Sequence, residues 1–231
     1  MISVQLQQSD LQERIDTARR LIDATHASSN QTQQTGTTSS PTTISREARG
    51  LVIVLLFASY ENLLTTLTRT LLEAAVRLRV SNSRLRPGLR AFAVYNTAQS
   101  LRDSSDKKMF SATIPSLLEV ASSRNKNCTI DTTRFPYDGS FMKKSQIQLW
   151  CQIFEVPNPG AILSNIWPAI DTVVTERNAI AHGRETPEQV GRGYSENEIR
   201  VLINDWHNDW TNFLTTIEAL AQNRDFFRTS R

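Results

Sequence analysis

An all-α fold is what this sequence predicts, on three observations. Apolar residues recur at helical spacing along most of the chain, strand-like alternation is rare, and glycine and proline number only 8 each in 231 residues. A chain of that length buries a core of its own without a disulfide or a metal. The formal net charge of +3 is mildly basic, which permits an acidic partner without demanding one.

Taken in order, residues 3–26 form an amphipathic helix whose apolar side is Val4, Leu11, Ile15, Ala18, Leu21 and Ile22. Residues 28–45 are rich in Ser, Thr, Gln and Asn, with Gly36 and Pro41, and bury too little apolar surface to offset their ordering entropy. This stretch is expected to be a disordered linker. The domain plan is thus an N-terminal helix over 1–27, a linker over 28–45 and a helical domain over 46–231.

Within that domain the strongest helix runs over 46–79, along Ile53, Leu56, Phe57, Tyr60, Leu64, Leu67, Leu71, Ala75 and Leu78. Pro87 permits a helix start, with helix expected over 88–103. A shorter helix follows over 106–122, then an irregular stretch over 123–140, then a helix over 142–154 carrying Ile147, Trp150, Cys151 and Phe154. The next helix is expected over 160–182, with Gly183 as its stop. Pro187, Gly191 and Gly193 mark a loop. Ser195 and Glu198 form a capping box that opens the last helix, over 195–223.

Cys128 and Cys151 have neither CxxC spacing nor a nearby histidine, so no zinc site is expected and the chain reads as reduced and cytoplasmic. The N-terminus lacks the apolar core of a signal peptide, and the apolar run Leu51–Ala58 falls well short of the roughly 20 residues that span a bilayer. No phosphate-binding glycine loop, nucleophile elbow or metal-ligand cluster is present, so no cofactor and no membrane partner is expected.

The chemistry concentrates in Arg177-Asn178-Ala179-Ile180-Ala181-His182, closed by Gly183. An arginine holds a phosphate through paired charge-assisted hydrogen bonds, and a histidine moves a proton near neutral pH. Together they are the minimum set for cutting RNA without a metal. Arg177 continues the apolar stripe Ile166, Ile170, Val173, so it needs an anionic partner. Glu61, between Phe57 and Leu64 on the stripe of the long helix, is the candidate. The pair is either a buried structural ion pair or part of a site. His182 lies roughly 140° around an ideal helix from Arg177. A frayed helix end, or a second subunit, would therefore complete the constellation, whereas Asn178 and His182 share a face.

This string resembles the motif of HEPN domains, which carry Arg-x4–6-His with a polar residue after the arginine. The segment Leu55–Leu64, with its glutamate, resembles their first core helix. Trp150–Val156 and Tyr194–Phe213 are similar to later ones. The resemblance covers residues 46–227 and is nearest to the RiboL-PSP and MAE-type HEPN nucleases. It implies an all-α HEPN-like bundle and a homodimeric, metal-independent endoribonuclease. Such proteins serve as toxins or antiviral defence effectors, under an antitoxin or other regulatory partner.

On that implication Arg177 holds the scissile phosphate, and His182 acts as general acid or base. Asn178 and Glu61 support them. The products are 2′,3′-cyclic phosphate and 5′-hydroxyl ends. Toxins paired with a nucleotidyltransferase antitoxin carry a tyrosine two residues after the histidine, where this chain has Arg184, which argues against that pairing. Arg184 and Arg192 are candidate RNA contacts. The cluster Arg77, Arg79, Arg84, Arg86 and Arg90 either tracks an RNA backbone or is a solvated helix end. His207 reads as a boundary residue and His26 as a helix-end cation. The alternative function is a non-catalytic HEPN module that binds RNA or a partner protein.

Overall fold

Helix is the only regular secondary structure among the described residues, apart from one isolated antiparallel bridge between Leu85 and Arg228. The computed structural model describes residues 2–32 and 43–229, the side chains of 26–32 excepted. Its α-helices are α1 (Gln5–Thr32), α2 (Thr43–Arg77), α3 (Pro87–Gln99), α4 (Asp106–Lys108), α5 (Ile114–Ser122), α6 (Lys144–Ile153), α7 (Pro159–Ile162), α8 (Ile170–Ala181), α9 (Pro187–Gly191) and α10 (Glu196–Ala221).

The central member is α2, which is apolar on most of its circumference. Val52, Ile53, Leu56, Phe57, Tyr60, Leu63, Leu64, Leu67, Leu71 and Leu72 are all buried. By length and composition α2 is apolar enough to cross a membrane, but 56% of that window is packed inside the protein, as in any core helix. Around it lie α1, α8, α9 and α10. The core between α2 and α10 is aromatic. Tyr60 stacks on Trp210 at 5.5 Å and meets Trp206 edge-on at 5.6 Å. Trp150 on α6 donates its indole N–H to Thr68 at 2.7 Å, and Trp206 donates to Ser59 at 3.2 Å. These bonds satisfy polar atoms that burial would otherwise leave unpaired.

The N-terminal helix is part of this same core. Val4, Leu11, Ile15, Ala18 and Ile22 are buried against α2 and α10. Its outer face is tied down as well, by Asn62 donating to Asp10 at 2.7 Å, Arg19 donating to Asn204 at 3.0 Å and Arg200 paired with Asp23 at 2.7 Å.

The boundaries of the expected linker move. α1 continues to Thr32 and α2 starts at Thr43, so both ends of 28–45 are helical. The remainder of that linker lies outside the described residues, as does the side chain of His26. Ser, Asn, Gln and Thr lower helix propensity without breaking a helix already nucleated upstream.

Three other expectations are corrected. The single helix expected over 160–182 is two pieces, α7 and α8, joined by turns over 163–169. Pro168 is the reason, since it has no N–H to bond to the preceding turn and clashes with it. The loop expected around Pro187–Gly193 contains α9, opened by a second capping box in which Thr186 and Gln189 exchange bonds. The helix over 106–122 is interrupted by a π-helical turn at Met109–Thr113, just before Pro115, where a missing N–H favours a widened turn. The final helix is as expected, with Ser195 and Glu198 exchanging capping bonds at its start.

Candidate functional site

The helix that carries Arg177 and His182 is positioned by two carboxylate contacts, one buried and one half-buried. Asp209, 5% exposed on the aromatic face of α10, accepts from the Asn165 and Ile166 backbone N–H groups at 2.9 and 3.1 Å, and from the Asn165 side chain at 2.8 Å. These bonds pin the turn that precedes α8. At the start of α8, Asp171 accepts from the Lys144 backbone N–H at 2.8 Å, which docks the N-terminus of α6. Sequence reasoning missed Asp209, although a carboxylate set between Trp206, Trp210 and Phe213 was a legible signal of a buried acceptor.

Arg177 leaves α8 toward α2. Its guanidinium lies 3.9 Å over the centre of the Phe57 ring, donates to Asn178 Oδ1 at 2.9 Å and stands 3.9 Å from Glu61 Oε2. The two stripes do face each other, as the sequence indicated. The pair is not a buried salt bridge, however, because the Arg177 and Glu61 side chains are 30% and 42% exposed. An open ion pair at that distance contributes about 0–1 kcal/mol, whereas a cation over an aromatic face contributes roughly 0.5–2 kcal/mol. Phe57 therefore holds the guanidinium at least as firmly as Glu61 does. Phe57 had been assigned only to the core, and its spacing of four from Glu61 was the available clue.

His182 is the C-cap of α8 and is exposed. Its backbone N–H bonds Asn178 O at 3.0 Å, and its imidazole pairs with no other described side chain. The helix closes in a full Schellman motif. Gly183, at φ 67°, donates to Ile180 O at 3.0 Å, and Arg184 donates to Ala179 O at 2.9 Å. No atom would meet a Cβ at Gly183, so the constraint there is backbone handedness alone. Gly183→Ala is expected to cost about 1–2 kcal/mol, the ordinary left-handed penalty, read as a lower urea midpoint with an unchanged slope.

The other cations divide. Arg184 is exposed beside His182. Arg192 is held bidentately by Glu188, at 2.9 Å for each bond, and Glu188 also pairs with Arg46 at 3.4 Å. Arg192 thus shares one carboxylate with Arg46 in a network that keeps a net positive charge, and its side chain is exposed. Two arginines of the cluster around the end of α2 are engaged within the protein as well. Arg86 bonds Glu155 and the Asp225 carbonyl, and Arg90 bonds the Ser83 and Leu85 carbonyls, while Arg77 and Arg79 are exposed. His207 is half-buried, and burial and then Arg19 push its imidazole down, with Asp16 opposing.

Next to Arg177, Glu176 accepts a 2.6 Å hydrogen bond from the Tyr194 hydroxyl. Burial pushes the Glu176 carboxyl up, partly offset by that bond. A carboxyl whose folded pKa is raised binds its proton more tightly in the folded state. Its stabilising contribution is complete below the unfolded value and is lost as pH rises through the folded one. Glu176→Gln is expected to remove this decline, so that stability by urea unfolding at about pH 7, taken relative to that at about pH 4, is higher for the variant than for the wild type.

No group of His, Cys, Asp and Glu among the described residues could hold a metal ion. Both cysteines are free, and burial raises the Cys151 thiol to about 12.

A family model described as HEPN_MAE_28990-like HEPN matches residues 4–226, a span that takes in α1. No curated protein and no solved structure matches the chain.

Proposed function

The chain belongs to the HEPN_MAE_28990-like HEPN family, and from that premise we infer that it is a metal-independent endoribonuclease acting as a toxin or an antiviral defence effector. One observation supports this reading above the others. A solvent-reachable guanidinium over the Phe57 ring and an exposed imidazole that pairs with no other described side chain are carried by one short helix. In the reaction Arg177 clamps the scissile phosphate and stabilises the charge that grows on it. His182 takes the proton of the 2′-hydroxyl as that oxygen attacks phosphorus, or gives one to the departing 5′-oxygen. The bond to the 5′-oxygen breaks, leaving a 2′,3′-cyclic phosphate and a 5′-hydroxyl. Asn178 and Glu61 steer the guanidinium.

Arg177 and His182 leave their helix in different directions, so a homodimer that apposes two copies of α8 would supply both proton-transfer groups. DNA lacks the attacking hydroxyl and is expected to survive. The test is incubation of purified protein with a structured RNA pool in EDTA, followed by end-group analysis. Cyclic-phosphate ends are expected. Cleavage that requires an added metal, or that leaves 5′-phosphates, would overturn the mechanism.

A second reading is favoured by the way Arg177 is already engaged with Phe57, Asn178 and Glu61. In a non-catalytic module that binds RNA or a partner protein, those contacts would be its purpose. Intact RNA after incubation with folded protein would support that reading.

A further inference from the structure

Away from Arg177 and His182, an open cleft of about 590 Å³ lies between α6 and the turn that leads into α8. Its floor is Cys151 and Val156, both buried, and one wall is the half-buried indole of Trp167. Gln148, Gln152 and Asn158 also line it, together with Pro159, Gly160 and Ala161 of α7. All three amide side chains are exposed, and none hydrogen-bonds another described residue. Gln148 and Gln152 are four apart on α6, so they share a face, and Lys144 begins the same row. The Lys144 ammonium lies 6.0 Å from the centre of the Trp167 ring. No carboxylate is among the residues that line the cleft.

We propose that this cleft is a nucleobase-binding subsite for single-stranded RNA, resting on the ribonuclease reading above. Each part has a matching chemistry. An indole face stacks on any base, carboxamides offer paired donors and acceptors to a base edge, and a lysine one turn away meets the phosphate. A duplex hides the base faces that this arrangement would contact, so an unpaired strand is the ligand it fits. Location supports the assignment. α8 has 12 residues and is therefore about 18 Å long. The cleft lies beyond its N-terminal end, and Arg177 and His182 lie toward the other. A stacked strand advances about 3.4 Å per nucleotide, so roughly three nucleotides span the distance from Ile170 to Arg177 and roughly five span all of α8. The subsite would then choose which phosphate reaches Arg177.

The protein carries its own reporter. Trp150, Trp206 and Trp210 are fully buried, so Trp167 is the tryptophan that a base can reach. The probe is a short single-stranded 2′-O-methyl oligoribonucleotide, which cannot be cut, titrated against tryptophan fluorescence beside its own duplex. Expected is saturable quenching by the single strand and much weaker quenching by the duplex. The variant Gln148→Glu/Gln152→Glu changes only exposed side chains and should raise the Kd about tenfold or more. Trp167→Phe should abolish the signal while keeping an aromatic face, and Trp167→Ala should weaken affinity measured by anisotropy on the scale of one lost base stack, roughly 5–100-fold. Quenching that depends on the glutamines in a protein that cuts no RNA would keep the subsite and remove the nuclease. RNA cutting by a protein that the probe does not quench, or quenching equal in wild type and double variant, would overturn the subsite alone.

Discussion

His182→Ala is expected to reduce RNA cleavage by about 10²–10⁴-fold, the usual range for one lost general acid or base, while leaving melting and oligomeric state unchanged. The structural part of this expectation follows from the imidazole's surroundings. It is exposed and bonded to no other described side chain, and only its backbone N–H serves the helix end. Alanine keeps that N–H, so the cap survives. Arg177→Ala should lose activity by a comparable factor but with a small cost in stability, because Phe57 loses its cation and Asn178 and Glu61 lose a partner. Arg177→Lys separates the roles. A lysine preserves a cation that can lie over Phe57 but not the planar fork that clamps a phosphate, so stability should recover more than activity. Initial rates on a labelled RNA in EDTA, beside thermal melts of the same preparations, make the comparison. Cleavage by His182→Ala at the wild-type rate would remove His182 from the chemistry and with it the present site.

How much of this was legible in the sequence depends on whether a signal was local. The Ser195–Glu198 box and the Gly183 stop are each written within four residues, and both appear as expected. The facing of Arg177 and Glu61 was legible because a charge on an apolar stripe is conspicuous, and two such stripes have reason to meet. Its burial was not legible, because exposure at the rim depends on how far α8 and α2 splay apart. Phe57 escaped notice for the same reason, since a core position and a platform for a cation have identical periodicity. Pro168 was a local signal outweighed by the helical spacing of the flanking residues, and the chain breaks there. Arg192 needed Glu188, four residues earlier, to be read as helix rather than loop. The cleft beside Trp167 was invisible, because its two walls belong to segments whose relative placement no periodicity encodes.

Gly191→Ala and Gly50→Ala should each destabilise the protein by roughly 3 kcal/mol, the upper part of the overpacking range. For a chain of this size that lowers Tm by on the order of 10 °C. At this crossing α9 and α2 touch backbone to backbone. A Cβ at Gly191 would lie 1.8 Å from the Arg46 carbonyl oxygen, and one at Gly50 would lie 1.9 Å from that of Pro187. Neither obstacle is the end of a flexible side chain, so the only relief is for the helices to separate. Separation would also break the bond from buried Arg49 to the Gly191 carbonyl, at 3.1 Å. The consequence extends to the site. α9 follows the C-cap of α8 after four residues, Gly183 to Thr186, and α2 carries Phe57 and Glu61. The crossing thus fixes His182 relative to the platform under Arg177. A helix pushed outward carries the imidazole with it, and misplacement of about 1 Å can cost about 10²-fold in rate. Cleavage assayed well below the lowered Tm should therefore fall in both glycine variants, although neither residue meets substrate. Melting and activity at wild-type levels in either variant would show that the helices are not packed this closely, and the placement of His182 would need another cause.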